Sequence, residues 1–166
     1  MDDITALIQD DHEAFRRGFA RLDDAQGVDE LRAIWEPLAL HLDIHAEAEE
    51  TIFYPQLLRR GDDAEEETDD AIRDHNKIRD AISESRRHDV GSDEWWAAVW
   101  ACRRENTEHL GEEEDEVLPD FRHNATLELR DELATAWLKY YAEHPSGRGL
   151  TFRDKDPKEY IRNNTP

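Results

Sequence analysis

The sequence predicts an all-α protein, an antiparallel up-down four-helix bundle with an additional C-terminal helix and tail. Two observations support this fold class. Apolar residues recur at intervals of three and four over four long segments, which is the periodicity of amphipathic helices. Short polar links separate the segments, and no segment shows the alternation expected of a β-strand. Because short links leave consecutive helices side by side, we expect a bundle.

The first two predicted helices form one half of the bundle. The first runs from Asp2 to about Asp24, with Asp2 or Asp3 as its N-cap. The second runs from Asp29 to about Arg60 and ends before Gly61. Proline disfavours the interior of a helix, so we expect Pro37 and Pro55 to bend or shorten the second helix.

The next two predicted helices form the other half. The third spans roughly Glu65 to Arg87 and is followed by the helix-breaking segment "HDVGSD". The fourth begins after Ser92 or Asp93, which can serve as its N-cap, and continues to about Phe121.

A fifth helix is predicted from Leu127 to Tyr141, and the residues after "HPSGRG" read as a polar tail with a few apolar anchors. We therefore divide the chain into a bundle, residues 1–123, and a C-terminal helix and tail, residues 124–166, packed on the bundle. The chain is expected to be a monomer or a homodimer.

Composition excludes several classes of partner. Charged residues make up 38% of the 166 residues, and the formal net charge is −21. Such a surface repels phosphate backbones and anionic lipid, so we expect neither nucleic acid nor membrane as a partner. No apolar run approaches the ~18 residues of a membrane span, and the N-terminus does not resemble a signal peptide. The single Cys102 fits a reducing, cytoplasmic location.

One motif occurs twice. "HAEAEETIFYP" runs from His45 to Pro55, and "HLGEEEDEVLP" runs from His109 to Pro119. Each begins with His, carries Glu four residues later and reaches Pro ten residues later. An Asp-His pair precedes each motif on the preceding helix, so the second half of the bundle repeats the first.

The repeat places four histidines and two glutamates on the buried side of the predicted helices. They are His12, His45, Glu49, His75, His109 and Glu113. A bundle core can hold such groups only with partners, because uncompensated buried charge is very costly. The groups could hydrogen bond to one another, but a bound metal explains six of them more simply.

The residue types narrow the choice of metal. There is no set of thiolates, so a structural zinc site is not expected, whereas mixed imidazole and carboxylate ligands suit iron or manganese. Six side chains suit two ions that share bridging carboxylates, with positions left for a bridging oxygen and an exogenous O2, peroxide or NO. The Glu-x-x-His motif of ferritin-like diiron proteins is absent, which disfavours that design.

The pattern H…HxxxE…H…HxxxE resembles the hemerythrin-like (HHE cation-binding) family over about residues 4 to 121. The resemblance implies a four-helix bundle that holds two nonheme iron ions, oxo- or hydroxo-bridged, and binds O2 or related small molecules. It also implies that the six residues above are the iron ligands. Two departures argue against simple O2 carriage. Arg79 stands where oxygen carriers have a further His, and the carriers' carboxylate spacing falls on Glu114, whereas the internal repeat favours Glu113.

Several residues near the motifs carry weaker expectations. We expect His41 to lie beside the ligands or at the surface, and we expect Asp11 and Asp74 to point into solvent. Arg79 could place a cation near the site, but extension to water is its expected role. Tyr54 is the candidate auxiliary residue for catalysis, although ordinary packing is its expected role.

Two functions from different classes remain. The first is a diiron oxidoreductase of catalase or peroxidase type, acting on O2, hydrogen peroxide or related molecules in oxidative or nitrosative stress and drawing electrons from an external donor. The second is a sensor or reservoir that binds O2, NO or iron without turnover. A metal-free helical interaction module is the third and least favoured interpretation.

Overall fold

The computed structural model describes residues 1–166 and is helical throughout, without a β-strand. This confirms the predicted fold class. The α-helices are α1 (Ile4–Asp23), α2 (Gly27–Ala48), α3 (Tyr54–Arg60), α4 (Ala64–Ser85), α5 (Asp93–Glu112), α6 (Leu118–Asn124), α7 (Leu127–Glu143) and α8 (Pro157–Asn164). A short 3-10 turn, Pro145–Gly147, follows α7.

Four long rods form the bundle. Helix α1 pairs with α2, and α4 pairs with α5, each pair joined by a short link. The second rod continues from α2 into α3 and the fourth from α5 into α6, so neither rod stops at its proline. Asp3 caps α1 through the N–H of Thr5, and Ser92 caps α5 through the N–H of Trp95, each being one of the two candidates that the sequence offered.

A wide π turn joins the two parts of each long rod. The turns span Glu49–Phe53 and Glu113–Val117, and the amides of Tyr54 and Leu118 donate to the carbonyls of Glu49 and Glu113, five residues earlier. Pro55 and Pro119 follow directly; proline has no N–H and its ring collides with the carbonyl four residues before it, which favours a wider turn. Pro37 is accommodated inside α2 without one. The repeated proline therefore marks a repeated π turn that begins at the candidate ligand glutamate.

Two apolar clusters fill the core on either side of a polar layer. One contains Ile8 and Ile72, and the other contains Phe15 and Ile78. The buried His12 lies in sequence between Ile8 and Phe15, and His75 lies between Ile72 and Ile78. The candidate ligands therefore occupy a layer enclosed by hydrophobic packing above and below.

The C-terminal segment packs on the bundle. Helix α7 contacts α1 and α2 and buries Trp137 in the first cluster. Helix α8 contacts α4 and buries Tyr160, so part of the segment expected to be a polar tail forms a short helix. Its start is capped by the Asp156 side chain, with a proline in the first turn. The division into residues 1–123 and 124–166 stays a prediction. None of the helices combines the length and apolar character that crossing a membrane requires.

Candidate metal centre

The structure brings all six candidate ligands together in the buried layer. Their ligand atoms form two overlapping groups of four, within which all atoms lie inside 4.8 Å of one another. One group contains His12 and His45, and the other contains His75 and His109. Glu49 and Glu113 belong to both groups. The chain thus offers two adjacent places for a cation, joined by two shared carboxylates.

The two oxygens of each shared carboxylate face different groups. In Glu49, Oε1 lies 2.5 Å from His45 Nε2 and Oε2 lies 3.1 Å from His75 Nε2. In Glu113, Oε1 lies 3.3 Å from His12 Nε2 and Oε2 lies 3.1 Å from His109 Nε2. This is the arrangement that a bridging carboxylate needs, because each oxygen can bind one of two neighbouring ions.

Most of the inward polar atoms lack a hydrogen-bond partner within the protein, which suits them to bind a cation. The Nε2 atoms of His12 and His45, both oxygens of Glu49 and Oε1 of Glu113 are buried without a hydrogen bond of acceptable geometry. Buried polar atoms are rarely left unpaired, since each costs about 1–3 kcal/mol. Every one of these atoms can donate a lone pair to a metal ion, and cations held by the two groups would satisfy them all.

Burial and nearby charges shift the pKa values of the two shared carboxyl groups. Burial, and then the negative charge of Glu113, raises the pKa of Glu49, whereas His109 and His12 outweigh burial and lower the pKa of Glu113. Two carboxylates in one dry layer therefore resist joint ionisation. A divalent or trivalent cation between them removes that resistance.

A carboxylate holds the outer nitrogen of each histidine. His45 Nδ1 lies 2.8 Å from Asp11 Oδ2, and His109 Nδ1 lies 3.3 Å from Asp74 Oδ2. The expectation that Asp11 and Asp74 point into solvent is wrong. An Asp one residue before an inward His still reaches across to the neighbouring helix of its own hairpin, where the His of the repeated motif lies.

The other two histidines are held by glutamates from the opposite half. His75 Nδ1 lies 2.9 Å from Glu50 Oε1, and His12 Nδ1 lies 3.0 Å from Glu114 Oε1. Glu114 therefore lies outside both groups of four and contacts the back of a histidine. Such outer partners select the tautomer that turns Nε2 inward and make the ring more basic.

The sequence carries a signal for these four carboxylates in the internal repeat. In each half, an Asp stands directly before the histidine of the first helix, and a second Glu stands directly after the glutamate of the motif. All four partners are therefore at equivalent positions of the two halves: Asp11, Glu50, Asp74 and Glu114.

Arg79 is buried rather than extended to water. Its Nη2 atom lies 2.7 Å from both oxygens of Glu50, and only 3% of the residue is exposed. Lys155 of the C-terminal segment contacts the same carboxylate at 2.5 Å. The expected extension to solvent is wrong because the buried carboxylate of Glu50, which packs against α4 from the second rod, requires a cationic partner.

Tyr54 also contributes more than packing. Its hydroxyl is fully buried and donates a 2.6 Å hydrogen bond to Glu113 Oε2. Burial, and then the charges of Glu113 and Glu49, raises the pKa of Tyr54 well above its usual value, so the phenol keeps its proton. His41 lies beside the site as expected, with Nε2 3.3 Å from Asp11 Oδ1 and its side chain partly exposed.

The family comparison agrees with this geometry. The family model described as the Hemerythrin HHE cation binding domain matches residues 3–121, which contain all six candidate ligands. The chain belongs to the hemerythrin HHE cation-binding family. No curated protein and no solved structure gives a match. The family match ends before α7, so the C-terminal helix, Tyr141 and Lys155 lie outside the domain that defines the family.

This hemerythrin-like domain therefore carries a cluster of His and Glu that could hold metal. The C-terminal segment adds two further contacts to it. Tyr141 donates to Asp11 at 2.9 Å, behind His45, and Lys155 contacts Glu50, behind His75.

Proposed function

We propose that this protein is a nonheme diiron oxidoreductase that reacts with O2 and hydrogen peroxide, and that its main activity is peroxide decomposition in oxidative stress. The observation that carries the proposal is the pair of overlapping ligand groups sharing Glu49 and Glu113. One ion would be held by His12 and His45, the other by His75 and His109, and both by the two glutamates.

The donor set supports iron and an open site. Each group supplies two imidazole nitrogens and two carboxylate oxygens, a mixture that suits iron. Iron commonly takes about six donors, so about two positions on each ion would remain for small molecules. Two nonheme iron ions bound there would supply reversible one-electron redox change and sites for O2, hydrogen peroxide or NO.

The surrounding residues prepare the site for this chemistry. Asp11, Asp74, Glu50 and Glu114 hold the imidazole rings with Nε2 inward. The Tyr54 hydroxyl fixes the position of Glu113 and holds a proton beside it. The two apolar clusters cover the layer from both sides, and all six candidate ligands are almost completely buried.

Peroxide decomposition has the further advantage that it requires no external electron donor. In the disproportionation of two hydrogen peroxide molecules to O2 and two waters, one peroxide is oxidised and the other is reduced, so no external reductant is needed. Reaction of the reduced protein with O2, by contrast, consumes electrons that an external donor must restore.

The test combines metal analysis with oxygen release. We expect close to two iron ions per chain after expression in iron-replete medium, and O2 evolution when hydrogen peroxide is added to the iron-loaded protein. His109→Ala should lose both. His88→Ala, at a partly exposed histidine that contacts Glu84 far from the motif, should keep both and controls for the loss of one imidazole.

Two outcomes would overturn the proposal. One zinc ion per chain would contradict the diiron centre. A stable, reversible O2 complex without peroxide turnover would instead assign the protein to binding or sensing.

A further inference from the structure

One side of the candidate metal centre is reached through an acidic cleft between α4 and the end of the fourth rod. The cleft is lined by five carboxylates, here called the acidic funnel: Glu67, Asp70, Asp74, Glu112 and Glu116. At its inner end it reaches Tyr54, His109 and Glu113. At its outer end Glu67, Asp70 and Glu116 also line a second, wholly polar cleft at the surface. The funnel therefore joins solvent to a candidate ligand and a shared carboxylate.

No Lys or Arg lines either cleft. The other histidines present a different environment at their outer nitrogens. Arg16 stands behind the Glu114 partner of His12, and Arg79 and Lys155 stand behind the Glu50 partner of His75. Behind His45, Tyr141 covers Asp11. At His109 the partner Asp74 faces the funnel with no cation in contact with it.

Helix stability alone does not account for this distribution of charge. Glu67 lies in the first turn of α4, where a carboxylate favours the helix dipole. Asp70 and Asp74 lie beyond that turn, and Glu112 and Glu116 stand four residues apart on the facing rod. Like charges at that spacing destabilise a helix, by about 0.2–0.5 kcal/mol per pair. The fold therefore tolerates repulsion among the carboxylates that line the acidic funnel.

Glu67 supplies a second, independent indication of a cation. The residue is only 9% exposed, and its Oε2 atom has no hydrogen-bond partner. It lines both clefts, at the junction between surface and interior. Burial, and then the neighbouring carboxyl of Asp120, raises the pKa of Glu67 to about 8. The other carboxyl oxygen faces Asp120, and a passing divalent cation would bind at the Oε2 atom that has no partner in the protein.

We propose that the acidic funnel is the uptake route for Fe²⁺, with Glu67 as a transient binding residue between the surface and Glu113. A cleft lined by one sign of charge concentrates ions of the opposite sign and raises their association rate, by a factor of about 10–10³. The inference rests on the proposed iron centre and adds the path by which that centre fills.

The test measures how fast iron is acquired, separately from how much is finally held. Metal-free protein is mixed anaerobically with Fe²⁺, and samples are withdrawn over time into a chelator that removes unbound iron. The funnel variant is Glu67→Gln/Asp70→Asn/Glu116→Gln. The matched control is Glu36→Gln/Glu94→Gln/Glu132→Gln, which makes three acid-to-amide changes at exposed positions without ion pairs.

At low ionic strength we expect the funnel variant to load about tenfold more slowly than the control, and the two rates to converge at about 0.5 M salt, where charges are screened. Both should reach the iron content of the original protein. Equal loading rates at low salt would exclude the funnel as the route. A lower final iron content in the funnel variant would make these carboxylates part of the final site and would overturn the transient role. If the original protein acquires no iron, the proposed centre itself fails, and this inference falls with it.

Discussion

Arg79 and Glu50 form a buried ion pair, with the Nη2 atom of Arg79 2.7 Å from each carboxylate oxygen. Glu50 at the same time accepts the outer nitrogen of His75 at 2.9 Å. Arg79 therefore acts on the candidate centre through the carboxylate that holds one of its candidate ligands. The pair keeps Glu50 ionised, and His75, Arg79 and Lys155 outweigh burial and lower its pKa to about 2.

Loss of the Arg79 charge should destabilise the protein strongly. Arg79→Met leaves the buried Glu50 with only the partly exposed Lys155 as a cation, and breaking a buried pair costs about 3–5 kcal/mol. We expect the free energy of unfolding to fall by about 3 kcal/mol in urea denaturation of the metal-free protein. Arg73→Met is the matched control on the same helix, because Arg73 pairs with Asp69 at the surface and should change stability by about 0.5 kcal/mol or less. Equal effects would show that the buried pair contributes no more than a surface pair.

Removal of the Tyr54 hydroxyl tests the contact with Glu113. Tyr54→Phe keeps the ring in the core but takes away the donor 2.6 Å from a buried carboxylate oxygen. The free energy of unfolding should fall by about 1–3 kcal/mol, the range for a buried acceptor that loses its partner. Urea denaturation measures this change, and iron content should stay close to that of the original protein. An unchanged stability would mean that water replaces the phenol without loss.

Metal removal should lower thermal stability. Without a cation the inner nitrogens and carboxylate oxygens remain unsatisfied in the core. A ligand that binds only the folded state at 1,000 times its Kd stabilises it by about 4 kcal/mol, which corresponds to about 10 °C in a domain of this size. Calorimetry of metal-free and iron-loaded protein measures the difference. Identical melting temperatures would place the metal outside the core.

The histidines should differ sharply in their effect on metal content. His45→Ala and His109→Ala each remove an inward Nε2 and should lose iron. His41→Ala removes a partly exposed ring that contacts Asp11 from the side, and it should keep most of the iron. Elemental analysis of the three purified variants decides this. Equal loss in all three would make His41 a ligand.

The spacing of the motif residues predicted most of the candidate site, because a helix fixes the relative positions of residues that are close in sequence. His and Glu four residues apart must share one face of a helix, and a repeated motif must supply the same face twice. The six inward residues therefore followed from the sequence. Their outer partners did not, because Asp11 reaches His45 across a hairpin and Glu50 reaches His75 across the bundle.

The sequence by itself determined the five longer helical segments, narrowed the first and fourth caps to Asp2 or Asp3 and to Ser92 or Asp93, and placed the six histidines and glutamates on the inward faces. These depend on periodicity and on neighbours within one turn. Only the tertiary structure decided that Glu49 and Glu113 each divide their two oxygens between two groups, that Lys155 reaches Glu50, and that an acidic funnel leads to His109. Those features arise where separate helices meet, and the distance between residues far apart in the chain is set by packing.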